Sequence, residues 1–158
     1  MTHITCLFED TETFSATSIT DGTYAYAADA EVMMFQYAFD NDPVTVIDLT
    51  AGEQIPKHVL DAQRDPDVLK VIQNSMFDRT VMRLAMGVEI PVDQIFDTMV
   101  CALAHSLPGS LATLCDVLGV DAPDVKDERG AELIQLFCRP RPKNSKIRRA
   151  TRETHPLS

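Results

Sequence analysis

Short apolar and β-branched segments, separated by turns, fill the first half of the chain. This pattern predicts four strands, at residues 3–10, 31–39, 44–49 and 68–72. The second and third strands are joined by the turn sequence Asp-Asn-Asp-Pro, so we expect them to form an antiparallel hairpin. Residues 14–30 are rich in Ser, Thr, Ala and Asp and predict an irregular loop.

Helical spacing of apolar residues dominates the second half of the chain. One predicted helix, which stops at Gly87, carries Phe77, Val81, Leu84 and Ala85 on one side. Four further helices are predicted: at residues 57–64, from an N-cap at Asp97 to about residue 107, from Ser110 to Leu118, and from Asp127 to Cys138. Strands that precede helices, with one strand–helix alternation between them, indicate an α/β fold with a mixed central sheet and flanking helices.

The distribution of charge divides the chain into two parts. Residues 1–138 hold 7 Lys and Arg against 23 Asp and Glu, whereas residues 139–158 hold 7 basic residues and one acid. We therefore predict one domain at 1–138, followed by a basic C-terminal tail at 139–158. The acidic domain argues against non-specific coating of DNA. The tail either contacts a phosphate backbone, stays solvated or folds back on the acidic domain.

Membrane insertion and secretion are not expected. No apolar run approaches the length of a membrane span, and the N-terminus does not resemble a secretory signal. The four cysteines lie far apart in apolar stretches, without metal-ligand spacing: Cys6, Cys101, Cys115 and Cys138. We expect them to be buried free thiols, as in a reducing cytoplasm.

Two acidic residues mark the end of the first predicted strand. Asp10 and Glu12 are two positions apart, so on a strand their carboxylates point to the same side. Neighbouring carboxylates repel each other unless a cation lies between them. Hard oxygen ligands suit Mg²⁺ or Mn²⁺. The alternative interpretation is a solvated strand end that happens to carry two acids.

A second candidate pair follows the fourth predicted strand. Asn74 and Asp78 are four positions apart and share one face of the helix that begins there. Ligands of α/β proteins bind at such strand ends, and if the first strand lies beside the fourth, Asp78 approaches Asp10 and Glu12. Taken alone, Asn74 is an N-cap and Asp78 is a first-turn acid favoured by the helix dipole.

These motifs resemble those of a known family. Asp10-Thr11-Glu12-Thr13 resembles the first motif of the DEDD-type 3′–5′ exonucleases, in particular the proofreading domain of family A DNA polymerases from phages and prophages, and Asn74-x-x-x-Asp78 resembles the second. Further similar segments follow in the same order, at residues 96–99, 107–111, 126–127, 130–134 and 137–141.

The resemblance implies a ribonuclease-H-like fold and hydrolysis of DNA phosphodiester bonds with two ions, Mg²⁺ or Mn²⁺. Asp10 would bridge both ions and Glu12 would hold the ion on the nucleophile side. Asp78 would act on the second ion, mainly through water.

The resemblance also implies contacts with the 3′ end of single-stranded DNA. Thr11 and Thr13 would grip the terminal nucleotide, and Asn74 would contact the strand next to it. We expect Phe77 to belong to the core rather than to stack on a base.

One element of the family pattern is absent from this sequence. The resembling proteins carry a fourth carboxylate on a late helix, in a Tyr-x-x-x-Asp or His-x-x-x-x-Asp motif. Here the last tyrosine is Tyr37, and the segment similar to the one before that helix lies at residues 149–156. The resemblance therefore implies a domain truncated before its last motif.

Three alternatives follow. In the first, a partner chain or a nearby acid (Asp116, Asp124 or Asp127) replaces the fourth carboxylate. In the second, the domain is weak or inactive and still binds single-stranded nucleic acid. In the third, it docks on a DNA polymerase chain. The resemblance further implies a phage or prophage origin and a location in the cytoplasm of a bacterial host. The absence of the last helix would leave an apolar face uncovered, which would favour a homo-oligomer.

Overall fold

A five-stranded sheet forms the centre of the computed structural model, which describes residues 5–120, 128–142, 144–147, 149–151 and 153–155. The order across the sheet is β3-β2-β1-β4-β5. These strands are β1 (Thr5–Phe14), β2 (Glu31–Phe39), β3 (Thr45–Asp48), β4 (Val68–Ile72) and β5 (Ile95–Asp97).

The sheet is mixed, as predicted. Strand β2 is antiparallel to both β1 and β3, which confirms the predicted hairpin. Strand β4 is parallel to both β1 and β5. The predicted neighbourhood of the first and fourth strands is therefore confirmed, and β1 lies at the centre of the sheet.

Six helices flank the sheet in the described part of the chain. They are α1 (Thr23–Ala28), α2 (Lys57–Arg64), α3 (Ser75–Val81), α4 (Thr98–Ala104), α5 (Leu111–Leu118) and α6 (Glu128–Phe137). Helix α3 continues into a π-helical turn at Met82–Met86, and the chain leaves it through Gly87 at a φ of 67°. A positive φ favours glycine, and this is the predicted stop.

Four features of the structure differ from the expectations of the sequence analysis. The interval 14–30 is not an irregular loop, because it contains a 3₁₀ turn at Ile19–Asp21 and helix α1, whose Tyr26 and Ala27 are buried. Strand β1 runs to Phe14 instead of ending at residue 10 because buried and more exposed side chains keep alternating to its end. The short strand β5 was not predicted, and α4 ends at Ala104, before the expected position near residue 107.

The other helices follow the sequence pattern closely. Helix α2 spans the predicted range, and Asp97 caps α4 through its carboxylate. Ser110 precedes α5 at the N-cap position but makes no capping bond with its side chain. Asp127, where the last helix was predicted to begin, lies outside the described residues.

The main core lies between one face of the sheet and α2 with the π-helical turn. Leu7 of β1 and Phe35 of β2 belong to the same buried cluster as Val59 of α2 and Met82. A second cluster, formed by Ala27, Val32 and Val81, joins α1, β2 and α3. These contacts fix α3 against β1 and β2.

The four cysteines are free thiols, but they are half-buried rather than buried. Cys6, for example, shares the face of β1 that carries Phe8 and Asp10, not the core face of Leu7. No helix in the described ranges is long and apolar enough to cross a membrane.

Candidate active site

Asp78 lies against β1, as expected. The residue is 3% exposed, and its Oδ1 accepts a hydrogen bond of 2.6 Å from Thr11 Oγ1. The pairing of β1 with β4 ends at Phe8↔Val71, and α3 begins directly after β4. The second half of β1 therefore runs past the end of β4 and beside the first turns of α3.

The ionisation of Asp78 depends on its neighbours. The pKa of this carboxyl is raised to about 6: burial raises it most, the hydrogen bond from Thr11 lowers it, and the negative charge of Asp10 raises it. Asp10 and Asp78 are therefore close enough to interact electrostatically.

Asp10 and Glu12 share one face of β1, Asp10 exposed and Glu12 half-buried. The register between β1 and β2 shifts between Glu12 and Thr13. Glu12 Oε2 accepts a weak hydrogen bond of 3.7 Å from the thiol of Cys138, which follows α6. Burial and the charge of Glu12 raise the pKa of Cys138 to about 11, so this thiol stays protonated at neutral pH.

The donor set of the site suits a divalent cation. Three carboxylates supply hard oxygen ligands, and a cation would relieve the repulsion between Asp10 and Asp78. Among the described residues, however, no group of three or more His, Cys, Asp or Glu side chains is arranged so that it could hold a metal ion. Binding would thus require the side chains of Asp10 and Glu12 to turn towards Asp78.

A cavity of about 480 Å³ opens beside Glu12, whereas Asp10 and Asp78 are not among the residues that line it. Thr13 Oγ1 and Tyr26 Oη are joined by a hydrogen bond of 2.8 Å, and Tyr26 packs on Phe77 with ring centroids 5.6 Å apart. Phe77 therefore contacts the core and also faces the cavity. The cavity is lined by Thr11, Glu12, Thr13, Thr17, Ser18, Ile19, Thr20, Tyr26, Phe77, Ile134, Cys138, Arg139 and Pro140.

Asn74 lies outside this cavity, although it was predicted to contact nucleic acid. It is exposed and has a φ of 59°, in the left-handed region. It holds the N-cap position of α3 but makes no capping bond with its side chain. The backbone N–H groups of Asn74 and Ser75 instead bind the carboxylate of Asp97.

A buried polar group beside Asp10 was missed in the sequence. Glu9 is buried on the core face of β1, where its Oε2 accepts a hydrogen bond of 2.9 Å from Gln63 Nε2. The pKa of Glu9 is raised to about 7: burial raises it most, the hydrogen bond from Gln63 lowers it, and the charge of Asp78 raises it. The alternation of β1 was the available signal, because residues 7 and 9 must share a face.

Among its described residues, the C-terminal segment folds back on the domain around Arg149. Arg149 pairs with Glu31 at 2.7 Å, its guanidinium lies 4.3 Å from the ring centroid of Phe14, and Ala150 is buried. Arg139 lines the cavity. Of the acids considered as a fourth carboxylate, Asp116 is exposed on α5 and does not line the cavity, and Asp124 and Asp127 lie outside the described residues.

The sequence matches a known family along most of its length. The model of the 3′-5′ exonuclease family matches residues 9–144. A DNA polymerase of Bacillus phage SP02 is 38% identical over 137 residues, which is 83% of this chain and 21% of the polymerase. The chain thus spans about a fifth of the length of this relative.

Solved structures share the fold. Brucella melitensis NrnC superposes with a TM-score of 0.59 at 18% identity, covering 78% of this chain and 56% of that protein. Escherichia coli RNase D, an exoribonuclease involved in structured RNA processing, superposes with a TM-score of 0.53 at 23% identity, covering 80% of this chain and 34% of RNase D. The predicted ribonuclease-H-like fold is confirmed.

Proposed function

Because the chain belongs to the 3′-5′ exonuclease family, we propose that it removes nucleotides from the 3′ end of single-stranded DNA, as a proofreading unit does. The Thr11–Asp78 hydrogen bond carries this proposal, since it holds the acid of the second motif beside the strand that bears Asp10 and Glu12. The cavity at the same strand end is where the terminal nucleotide would enter.

Asp10, Glu12 and Asp78 would hold two divalent cations, Mg²⁺ or Mn²⁺. When bound, such cations supply Lewis-acid activation of a water molecule and neutralise charge at the leaving oxygen. Support comes from the unfavourable proximity of Asp10 and Asp78 and from NrnC, which has been solved with bound Mg²⁺. Buried Asp78 is fixed by Thr11, so the more exposed Asp10 and Glu12 are the side chains that adjust.

The two threonines would bind the DNA strand mainly through their backbone rather than through their hydroxyl groups. The hydroxyl of Thr11 is used by Asp78 and that of Thr13 by Tyr26, so both residues offer mainly their backbone to a nucleotide in the cavity. Tyr26 and Phe77 form the apolar wall on which a terminal base would rest. Asn74, exposed outside the cavity, would contact the next part of the DNA strand.

The basic C-terminal segment would contact the phosphates of the strand. Arg139 is exposed and lines the cavity, whereas most of the domain is acidic, so a strand that leaves the cavity past Arg139 meets the most basic part of the sequence. Phosphate contacts of this kind weaken as salt rises.

Binding without cleavage is the second candidate function. It is favoured by the observation that the three carboxylates are not gathered into a metal site in the described residues. In that case the domain would hold a single strand or act beside a polymerase chain in the cytoplasm of a bacterial host. The phage relative is a DNA polymerase, which makes a polymerase the proposed partner.

Self-association is a further proposal. Val100 and Leu103 on α4 and Leu111 and Leu118 on α5 are largely exposed apolar side chains, and such residues favour contact with another chain. Sedimentation at increasing concentration tests this, and a monomer throughout would exclude it.

A single-strand digestion separates cleavage from binding. In Mn²⁺, the wild type is expected to shorten a labelled DNA oligonucleotide, and Asp10→Ala is expected to lower the rate by about 100-fold or more. Asp42→Asn, at an exposed acid in the turn between β2 and β3, serves as the matched control and should cleave normally. Binding that survives Asp10→Ala, with no cleavage by the wild type, would favour the second candidate.

A further inference from the structure

One carboxylate caps two helices at the edge of the sheet. Asp97 Oδ1 accepts hydrogen bonds from the N–H groups of Met99 at 2.9 Å and Val100 at 3.1 Å, at the start of α4. Oδ2 accepts from Ser75 N–H at 2.7 Å, and Oδ1 also accepts from Asn74 N–H at 3.3 Å. Asp97 is therefore the common partner of the first N–H groups of α3 and α4.

Helix α3 depends on this external cap. Its own N-cap residue, Asn74, makes no capping bond with its side chain, and its left-handed φ of 59° directs the chain from β4 into the helix. The first N–H groups of a helix have no partner within the helix, so a carboxylate that binds them satisfies them and interacts favourably with the helix dipole. For α3 this carboxylate comes from 22 residues further along the chain.

The ends of β4 and β5 also support the first turns of α3 and α4. Strand β4 leads into α3 and β5 leads into α4, and the two strands pair in parallel, with Ile72 opposite Asp97. Gln73 accepts a hydrogen bond from the hydroxyl of Thr98 and donates one of 3.0 Å to the carbonyl of Gly109. Burial would raise the pKa of Asp97, but hydrogen bonds from Ser75, Val100 and Met99 outweigh it and lower the pKa, so the carboxylate is charged at neutral pH.

We propose that Asp97 is a positioning residue for the exonuclease reaction: by holding the N-terminus of α3, it sets where Asp78 meets β1. Asp78 lies three residues after Ser75, one turn along the same helix, and its contact with Thr11 requires α3 to stay in place. Asp97 itself is not among the residues that line the cavity and touches no candidate metal ligand in the described contacts. The inference rests on the proposed function, because it assigns a role within that reaction.

The substitution Asp97→Asn separates the two caps. An asparagine has one oxygen, and the position of Oδ1 offers three donors while that of Oδ2 offers one. The amide oxygen is therefore expected at the Oδ1 position, where it preserves the cap of α4, since Asn is as good an N-cap as Asp. The amide NH₂ group then faces the N–H of Ser75, so the main bond to α3 is lost.

The matched control is Asp48→Asn. Asp48 also caps a short helical turn with its carboxylate, accepting from Ala51 N–H at 3.0 Å and from the hydroxyl of Thr50 at 2.6 Å. It lies on β3, at the opposite edge of the sheet from β5. A general loss of stability would appear in both variants, whereas a loss of positioning would appear in Asp97→Asn alone.

Two measurements on the full chain test whether Asp97 positions Asp78. In Asp97→Asn, amide hydrogen exchange at Ser75 should accelerate by about tenfold while exchange at Val100 is unchanged, and kcat for release of nucleotides should fall about 10- to 100-fold with KM for the DNA changed less than about threefold. Asp48→Asn should retain kcat at the same temperature.

Slow exchange at Ser75 in Asp97→Asn, or a kcat equal to that of Asp48→Asn, would overturn the positioning role while leaving the proposed function intact. If the wild type itself releases no nucleotide, the proposed function fails and the positioning role fails with it. The exchange data would then report only how α3 is anchored.

Discussion

Thr11 and Asp78, 67 positions apart in the sequence, are joined by a hydrogen bond of 2.6 Å in the interior of the protein. Thr11 stands between Asp10 and Glu12 on β1, but its side chain points to the core face, where α3 brings Asp78. The strand thus uses one face to present two carboxylates and the other to fix a third. Both faces of β1 therefore contribute to the candidate site.

Replacing Thr11 by valine should loosen this link. Thr11→Val keeps the β-branched shape but removes the donor to Asp78, so a buried carboxylate loses a partner, and the free energy of unfolding should fall by about 1–3 kcal/mol at pH 7. Cleavage should also fall, because Asp78 is no longer held. Urea unfolding and the digestion assay check both effects.

Thr45→Val is the control for this prediction, since Thr45 is exposed on the edge strand β3. Equal unfolding free energies for Thr11→Val and Thr45→Val would contradict the importance of the Thr11–Asp78 bond.

The raised pKa of Asp78 predicts how the metal-free protein responds to pH. Its pKa rises from 3.8 in the ordinary case to about 6 in the folded protein, and that of Glu9 rises from 4.5 to about 7. Between about pH 4 and 7 the folded state therefore binds more protons than the unfolded state, so these two groups make stability fall as pH rises through this window.

Asp78→Asn removes one of these groups while keeping an acceptor for Thr11. Without metal, this variant should be more stable than the wild type at pH 8 by about 1–3 kcal/mol, with little difference at pH 4. Thermal unfolding in a chelator, with Asp116→Asn as the control, measures the effect. If the difference in stability between the wild type and Asp78→Asn is the same at pH 8 as at pH 5, folding does not raise the pKa of Asp78.

The contacts of Arg149 predict a further effect on stability, at the C-terminal segment. Arg149→Ala removes both the ion pair with Glu31 and the contact with the Phe14 ring, so we expect a loss of about 1 kcal/mol and faster proteolysis within residues 139–158. Lys57→Ala breaks an exposed i,i+4 pair with Asp61 at 2.6 Å and should cost less than about 0.5 kcal/mol. Equal proteolysis rates for Arg149→Ala and the wild type would argue that the segment is held elsewhere.

Much of the fold follows from local pattern in the sequence. The apolar segments of β2 and β4 and the apolar spacing in α3 are clear in the sequence, and these elements lie where the pattern predicts them. Helix α1 was missed because it has only six residues and its stability comes from burying Tyr26 and Ala27 against α3, a contact that no local pattern encodes. Strand β5 was missed because three residues are too few to show a period.

The site shows the same division between local and long-range information. Asp10, Glu12 and Asp78 were predicted as site residues from the spacing within two motifs. The contacts around them were not predicted, because Thr11 binds Asp78 across 67 positions, Cys138 binds Glu12 across 126 and Asp97 binds Ser75 across 22. For Asn74, the motif predicted either a helix cap or a contact with the nucleic-acid strand. The side chain that caps α3 is instead that of Asp97.

The direction of digestion tests the central claim most directly. A single-stranded DNA oligonucleotide labelled at its 5′ end is incubated with the wild type and Mn²⁺, beside a copy whose 3′ hydroxyl is blocked. We expect a ladder that shortens one nucleotide at a time from the 3′ end, absent with the blocked strand and with Asp10→Ala. Cuts within the blocked strand, or equal products from Asp10→Ala, would contradict a 3′–5′ exonuclease site built on Asp10, Glu12 and Asp78.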